Sequence, residues 1–394
     1  MREDKNTSTR PYRRVVVKLG TTLITDGTNR LDLETMASIV GQIARLQSSG
    51  SEMLLVSSGA VAAGRHVLDP TGEIGNVLMR QALAAIGQGR LMNSYEQLFL
   101  WYDVHVAQTL LTRRDLSDRM GYLNIRNTLL GLIKYRVVPI INENDVVSVD
   151  ELDGEIIGDN DTLSAMVANI VDADLLIILG KTEGLFTGDP NLDSDARLIH
   201  RVASFTDEIE SLGGPSFDSR GRGGMTAKLN AARLATTSGV DTIFASGTIA
   251  NVVPRLVDGE SLGTYFPTGA SRMESRKRYM LSQIRESDVI VVDPGAVRAL
   301  VRGNKSLLPA GIVDTHGDFK RGDVVLVEDT GKNRIACGIS GYSSHDVHKI
   351  RRLRSDLISR TLGFHYGDEV IHRDNLVLLA TSDSAQSKLP SNRS

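Results

Sequence analysis

The sequence predicts an α/β protein: an αβα sandwich with a mostly parallel sheet, followed by a small β-rich C-terminal domain. Through about residue 265, short continuous apolar runs alternate with stretches in which apolar residues recur at helical spacing. Such alternation is typical of βαβ units, whose helices cover both faces of a parallel sheet. Beyond residue 284 the apolar runs are short and separated by Gly, Asp and Asn, which favours a β-rich fold.

The first part of the chain contains predicted strands and helices in alternation. Each strand is a short run rich in Val, Ile and Leu, whereas each helix shows apolar residues about 3.6 positions apart. The predicted strands are 14–19, 53–56, 104–111, 137–141, 175–179 and 242–245. The predicted helices are 33–46, 77–99, 122–135, 162–172 and 225–238.

The chain of 394 residues is long enough for two domains. A polar and strongly basic stretch after residue 266 predicts a linker. In the C-terminal part we expect strands at 289–292, 324–327, 334–338 and 376–379, and one helix at 345–362. The predicted boundaries are a disordered tail at 1–12, a first domain at 13–266, a linker at 267–283, a C-terminal domain at 284–380 and a disordered tail at 381–394.

Composition excludes several classes of protein. Hydrophobic residues make up 41% and charged residues 24%, which excludes wholesale disorder. The net charge of -3 argues against a dedicated nucleic-acid-binding protein. The one cysteine, Cys337, cannot form an internal disulfide, which fits a cytoplasmic location. No apolar run approaches about 18 residues, so we expect no membrane span.

Two motifs at the ends of predicted strands favour an anion site. Lys18 ends the first strand just before Gly20, which places a positive charge and a glycine turn at the ligand-binding edge of the sheet. Ser58, Gly59 and Ala60 lead from the second strand into an Ala-rich helix, whose first N–H groups can face an anion. The alternatives are a solvent-facing lysine and an ordinary serine N-cap, and for the second motif alone the N-cap is favoured.

Acidic and amide side chains follow the fourth predicted strand and open the next helix. The segments are Asn-Glu-Asn-Asp at 142–145 and Gly-Asp-Asn-Asp at 158–161. Carboxylates placed so close together usually bind a cation or pair with lysines. Turn and cap chemistry explains one such loop, but two of them at one sheet edge favour a site.

A glycine-rich loop at 221–224 leads into a helix that carries Lys228 one turn inside. Backbone amides and a compact charge in this arrangement suit a phosphate, although a flexible loop before a helix is the alternative. The triplet at 180–182, Gly-Lys-Thr, imitates the end of a P-loop. Leu175 stands where that motif requires a glycine, so the triplet is not a Walker A site.

Taken in order, these motifs resemble the amino acid kinase family over about residues 12–266. The matching segments are VVVKLGTT, VSSGAVAAGR, INENDVV, IGDNDTLSA, GLFTGDP and GRGGMTAKL. In the C-terminal region, IVVDPGAVRAL, SLLPAGI and FKRGDVV resemble a PUA domain. The resemblance implies the amino acid kinase fold, phosphoryl transfer from ATP, and Mg²⁺ that is held mainly by the ATP phosphates and not by protein ligands.

Within this family, the INEND and GDND pair is similar to the glutamate-binding elements of members that phosphorylate the γ-carboxylate of L-glutamate. That resemblance implies the first step of proline biosynthesis and feedback inhibition by proline; we also expect a homo-oligomer. Asp145 can pair with an α-ammonium group, which ranks free glutamate above acetylglutamate; an acetylglutamate or aspartate kinase is the alternative. An inactive RNA-binding or regulatory PUA protein is a less favoured alternative, because a PUA fold alone does not transfer RNA binding.

The resemblance also implies roles for individual residues. The implied catalytic residues are Lys18, Lys228 and Asp161. The implied substrate-binding residues are Ser58, Gly59, Ala60, Asp145 and Asn160. The implied ATP-binding residues are Lys18, Gly20, Gly180, Lys181, Arg222, Gly223, Gly224, Met225, Thr226, Ala227 and Lys228. Two positions depart from the family pattern: Thr-Asp is usual where Gly180-Lys181 stands, and a small or hydroxyl residue is common in place of Arg222.

Overall fold

The computed structural model describes residues 11–68, 77–147, 160–190, 192–213, 224–269, 280, 281 and 283–379. The chain divides into two compact units, one of residues 1–118 and 124–272 and the other of residues 119–123 and 273–394. In the described ranges, no helix has the length and apolar character needed to cross a membrane. The domain boundaries derived from the sequence remain a prediction.

The first unit is built on a seven-stranded sheet. Its strands are β1 (Arg14–Leu19), β2 (Glu52–Val56), β3 (Val106–Leu111), β4 (Val138–Glu143), β5 (Leu175–Gly180), β6 (Asp241–Ser246) and β7 (Thr264–Phe266). Their order is β3-β4-β2-β1-β5-β6-β7, and every neighbouring pair is parallel except β6 with β7. The mostly parallel sheet is therefore confirmed; β7 is too short to show a pattern in the sequence.

Helices cover both faces of this sheet, which confirms the αβα sandwich. Those up to residue 257 are α1 (Thr21–Ile24), α2 (Leu33–Ser48), α3 (Ala60–Leu68), α4 (Val77–Leu100), α5 (Arg113–Ser117), α6 (Arg119–Lys134), α7 (Asn160–Ile170), α8 (Asp207–Ser211), α9 (Met225–Thr237) and α10 (Val252–Val257). On one face α2, α4 and α10 form a core with the strands through fully buried residues such as Ile39, Leu91 and Val253. On the other face α7 packs against β1 and β5, and α9 against β6.

The predicted motifs meet at the carboxyl edge of the central strands. Because β1 lies between β2 and β5, and β4 lies beside β2, the residues that follow these four strands are neighbours. Lys18 comes from β1, Ser58 follows β2 and Asp145 follows β4. Open α/β sheets bind their ligands at this edge.

The predicted N-terminal tail and linker each include a residue that contacts the sheet. The hydroxyl groups of Tyr12 and Tyr265 donate to one carboxylate oxygen of Asp241, at 3.0 and 2.9 Å. The Thr268 amide donates to the other oxygen at 2.9 Å. Tyr12 and Thr268 therefore belong to the folded unit, although the sequence places them in the tail and the linker.

The C-terminal unit contains a five-stranded, mostly antiparallel sheet in the order β12-β11-β10-β8-β9. Its strands are β8 (Val289–Val292), β9 (Ile312–His316), β10 (Val324–Asp329), β11 (Arg334–Ile339) and β12 (Leu376–Leu378). Its helices are α11 (Pro294–Val301), α12 (Ser344–Ile350) and α13 (Ile358–Leu362). One face of the sheet packs on a core that includes Phe319, Tyr342 and Val347. The predicted β-rich fold is confirmed.

The prediction of one helix at 345–362 is wrong. Helix α12 ends at Ile350, and α13 begins only at Ile358, after a 3₁₀ turn. Between them Arg352 adopts φ 62, and its N–H donates to the Pro309 carbonyl at 2.8 Å. An amide held by a distant carbonyl cannot continue the helical ladder, and the helical spacing of side chains carries no sign of that bond.

Candidate active site

Two lysines meet one buried carboxylate at the sheet edge; we call Lys18, Asp161 and Lys228 the lysine cluster. Asp161 is the second residue of α7 and has no exposed surface. Lys18, which is 4% exposed, forms an ion pair with Asp161 Oδ1, and Lys228 Nζ lies 3.8 Å from Oδ2. The cluster carries a net charge of +1, and Asp161 lies between two cations that would otherwise repel each other.

The first turn of α9 supplies the second lysine and a set of backbone donors. Gly224 is extended and forms the N-cap of the helix without a side-chain bond. The first N–H groups of a helix have no carbonyl partner within it, so the amides of Met225, Thr226 and Ala227 suit an anion. Lys228 follows one turn into the helix. Two predicted residues of this loop, at 222 and 223, lie outside the described residues.

The predicted nucleotide residues at the ends of β1 and β5 are placed differently from the expectation. The Gly20 N–H donates to the Leu179 carbonyl at 3.1 Å, so the prediction that this amide faces an anion is wrong. What Gly20 contributes is open space, since a Cβ at this position would lie 4.0 Å from Lys18 Nζ. The Gly180 carbonyl is bound by a neighbouring backbone amide, and the 44% exposed Lys181 side chain pairs with Asp26 instead of joining the lysine cluster.

A chain of amide hydrogen bonds lies on the acceptor side; we call Gln88, Asn142, Asn160 and Ser58 the amide chain. Asn160 Nδ2 donates to Ser58 Oγ at 3.0 Å and to Asn142 Oδ1 at 3.1 Å. Asn142 Nδ2 donates to Gln88 Oε1 at 2.8 Å. Ser58 only accepts in this chain, so its own O–H proton remains for a ligand.

Two glycines allow the backbone to take this shape. Gly59 has φ +95, and a Cβ there would lie 2.9 Å from Ile24 Cδ1, so a side chain would be strained in both respects. Gly87 brings α4 against the start of α3, because a Cβ would lie 1.8 Å from the Ala60 carbonyl oxygen. This close approach places Gln88, the next residue, beside the motif that follows β2.

Asp145 faces an arginine from α4. Arg80 Nη2 lies 3.7 Å from Asp145 Oδ1. Burial raises the pKa of Asp145, and the positive charge of Arg80 only partly opposes that effect. Burial also lowers the pKa of Arg80, against the opposing effect of Asp145 and Glu143. A second cation beside Asp145 would therefore stabilise its ionised form.

The structure thus brings the predicted residues into two contacting groups. Lys18, Asp161 and Lys228 form one; Ser58 and Asn160 form the other, and Asp145 pairs with Arg80. Sequence reasoning assigned no role to Arg80 or Gln88, both on α4. Gly87, a poor helix former within a long helix, was a signal of close packing there, whereas nothing in the sequence marked Arg80.

Comparison with known proteins agrees with this geometry. Residues 13–246 match the amino acid kinase family, and residues 288–362 match the PUA domain. Since the first match covers more than half of the chain, the protein belongs to the amino acid kinase family and carries a C-terminal PUA domain.

Individual relatives narrow the class. A glutamate 5-kinase of Dehalococcoides mccartyi is 50% identical over 368 residues, which cover 93% of this chain and 99% of the relative. Glutamate 5-kinases of Herpetosiphon aurantiacus and Pasteurella multocida are 49% and 42% identical, each with 93% of this chain and 98% of the relative covered. Among solved structures, a UMP kinase from Bacillus anthracis shows a weak likeness, with 18% identity and a TM-score of 0.47 over 66% of this chain and 98% of its own.

Proposed function

We propose that this protein is a glutamate 5-kinase, which transfers the γ-phosphoryl group of ATP to the γ-carboxylate of L-glutamate in the first step of proline biosynthesis. The near full-length relatives of that name support the substrate. The single observation that carries the chemistry is the lysine cluster, in which two cations from different elements converge on one fully buried carboxylate. An inactive scaffold has no need of that arrangement.

The reaction needs positive charge and no general base. A glutamate side-chain carboxylate has a pKa of about 4.3, so it is already a nucleophile at neutral pH. The difficulty is repulsion, since two unit charges about 4 Å apart interact by roughly 4 kcal/mol at an effective dielectric constant of about 20. Lys18, Lys228 and the first amides of α9 supply the opposite charge around the transferring group.

The acceptor side offers one partner to each polar group of glutamate. The Ser58 hydroxyl and the amides of Gly59 and Ala60, at the start of α3, suit the γ-carboxylate. Asp145 suits the α-ammonium group, and Asn160 Oδ1 can also accept from it. That oxygen is buried and has no hydrogen-bond partner among the described residues. Acetylglutamate has no ammonium group and would leave Asp145 without this cation.

Mg²⁺ enters in this proposal with the nucleotide. Both carboxylate oxygens of Asp161 face lysines, so this acid is not presented to a cation. Mg²⁺ prefers phosphate and water oxygens in sites of this kind, and there it would neutralise charge on the nucleotide. The residues of the cluster fit that division of charge.

The finer parts of the proposal concern regulation and location. Proline shares the α-carboxylate and the cationic amine of glutamate but lacks the acceptor group, so it suits the surroundings of Asp145 as an inhibitor. We also propose a cytoplasmic homo-oligomer. An acetylglutamate or aspartate kinase is not favoured, because the relatives reported above share one name. RNA binding by the PUA domain stays the less favoured alternative.

The proposal is tested by Mg²⁺-dependent ADP release with L-glutamate, acetylglutamate and L-aspartate in parallel. We expect turnover with L-glutamate and at most about 1% of that rate with acetylglutamate, because an unpaired buried charge costs several kcal/mol. Faster turnover with either alternative acceptor would reassign the substrate. Absence of turnover with all three, in a protein that binds ATP, would support the regulatory alternative.

A further inference from the structure

We propose that Gln88 is a positioning residue for the acceptor carboxylate. It sets the direction of the amide chain, so that the Ser58 hydroxyl donates to the substrate. The inference rests on the proposed function, because it names the group that the chain prepares for glutamate. Gln88 contacts neither Ser58 nor the lysine cluster in the hydrogen bonds described above, so its effect passes through Asn142 and Asn160.

An amide chain can run in two directions, and only one suits a carboxylate. Each amide side chain presents an oxygen on one side and an NH₂ group on the other. In the observed direction Asn142 donates to Gln88, while Asn160 donates to both Asn142 and Ser58. In the reverse direction Ser58 would donate its one proton to Asn160 and would present only lone pairs to an anionic substrate.

Gln88 decides the direction because it ends the chain. Asn142 is 2% exposed, so it must find its hydrogen bonds within the protein. Gln88 Oε1 gives the Asn142 NH₂ group an acceptor, which leaves the Asn142 oxygen for Asn160. The contact of Gly87 with Ala60 holds this part of α4 in place, so the Gln88 oxygen is fixed relative to the site.

The observed direction has a cost that packing alone does not explain. Gln88 Nε2 and Asn160 Oδ1, at opposite ends of the chain, are buried without a hydrogen-bond partner among the described residues. An apolar side chain at position 88 would remove the first of these groups. A buried polar group that stays unsatisfied in a native fold calls for a functional reason, and orientation of Ser58 supplies one.

Gln88→Met tests the inference, because methionine keeps the length of the side chain and cannot accept from Asn142. We expect the Kd for glutamate, measured by calorimetry without nucleotide, and the KM for glutamate to rise about 10-fold, since a hydrogen bond to a charged group is lost. The KM for ATP and the Tm should hardly change, because one unpaired buried donor replaces another. The matched control is Gln97→Met, the same change at an exposed position of α4.

A double-mutant cycle with Ser58→Ala separates positioning from packing. If Gln88 acts through Ser58, Gln88→Met should change glutamate binding less than about 2-fold once the hydroxyl is absent. Gln88→Glu keeps an acceptor and no donor at this end, so it should hold the observed direction and stay within about 3-fold of the wild type.

Three results would overturn the inference: unchanged glutamate binding in Gln88→Met, the same loss in the Ser58→Ala background, or a Gln88→Glu variant as weak as Gln88→Met. Failure of the proposed function would look different, because the wild-type protein itself would then neither bind glutamate nor release ADP with it.

Discussion

The two halves of the active site are built from opposite materials. The lysine cluster uses full charges: two cations share one fully buried carboxylate. The amide chain uses neutral groups, and its one neighbouring carboxylate, Asp145, is paired with an arginine. The difference follows the chemistry, since the transferring phosphoryl group needs charge neutralisation, whereas a small amino acid needs directed hydrogen bonds.

Helix α7 separates the two halves at adjacent residues. The side chain of Asn160 joins the amide chain, and that of Asp161 joins the lysine cluster. Successive residues at a helix start project about 100° apart, so one helix end serves both halves. If the division is real, substitutions in the cluster lower kcat, and those on the acceptor side raise the KM for glutamate.

The largest effect is expected from Lys228→Ala. Loss of a charge that acts on the transition state should lower kcat by about 10²–10³-fold. The fold should survive because Lys18 still pairs with Asp161, whereas Lys18→Ala would also leave a buried carboxylate with only its more distant partner. Steady-state kinetics and a thermal melt measure both, with the exposed Lys134→Ala as the control. Normal turnover of folded Lys228→Ala would break the comparison.

The next effect concerns the acceptor side. Asp145→Asn keeps the shape and removes the charge, so the KM for glutamate should rise about 10–100-fold, as for a lost charged hydrogen bond. The KM for ATP should change little. The variant should melt no earlier than the wild type near pH 7, because burial raises the pKa of Asp145 and its ionised form is disfavoured in the free protein. Equal changes in both KM values would place Asp145 outside the glutamate pocket.

Inhibition by proline offers a smaller test of the same side. We expect glutamate to relieve it competitively, because both molecules present an α-carboxylate and a cationic amine to Asp145. Asp145→Asn should then need several-fold more proline for half-inhibition, by the same loss of a charged contact. Inhibition curves at two glutamate concentrations decide the point. Proline inhibition that saturating glutamate leaves unchanged would indicate a separate site.

The pH dependence should be confined to glutamate recognition. Because the pKa of Asp145 is raised by burial, its protonated fraction grows as the pH falls towards that value, and the KM for glutamate should rise. For the free protein the sign is opposite: the stability that protonated Asp145 contributes is complete below the unfolded-state pKa and is lost as the pH rises through the folded-state pKa. In Asp145→Asn the acid rise in KM should disappear; a rise that persists would come from another group.

The smallest effect is expected from removal of the C-terminal unit. All residues of the lysine cluster and the amide chain precede residue 230, so a chain that ends at Met280 should keep kcat within about 3-fold if it folds. Gel filtration and circular dichroism establish the fold before kinetics are measured. A folded fragment that binds ATP without turnover would place part of the chemistry beyond residue 280.

The sequence by itself determined the sheet and its edge. Buried parallel strands read as continuous apolar runs, and a ligand edge reads as polar residues directly after them. That local information located Lys18, Ser58 and Asp145 on their strands and Asp161 and Lys228 on their helices. It also favoured the β-rich C-terminal fold, because turns between short strands leave a local mark in Gly, Asp and Asn.

Tertiary structure alone decided which groups contact one another. The pairing of Arg80 with Asp145, the bond from Asn142 to Gln88 and the use of the Gly20 amide by Leu179 join residues far apart in the chain. The end of α12 at Ile350 has the same origin, a bond from Arg352 to the distant Pro309. Hydrogen bonds and ion pairs depend on positions within a few tenths of an ångström, which the packing of helices on the sheet fixes and the periodicity of a sequence does not encode.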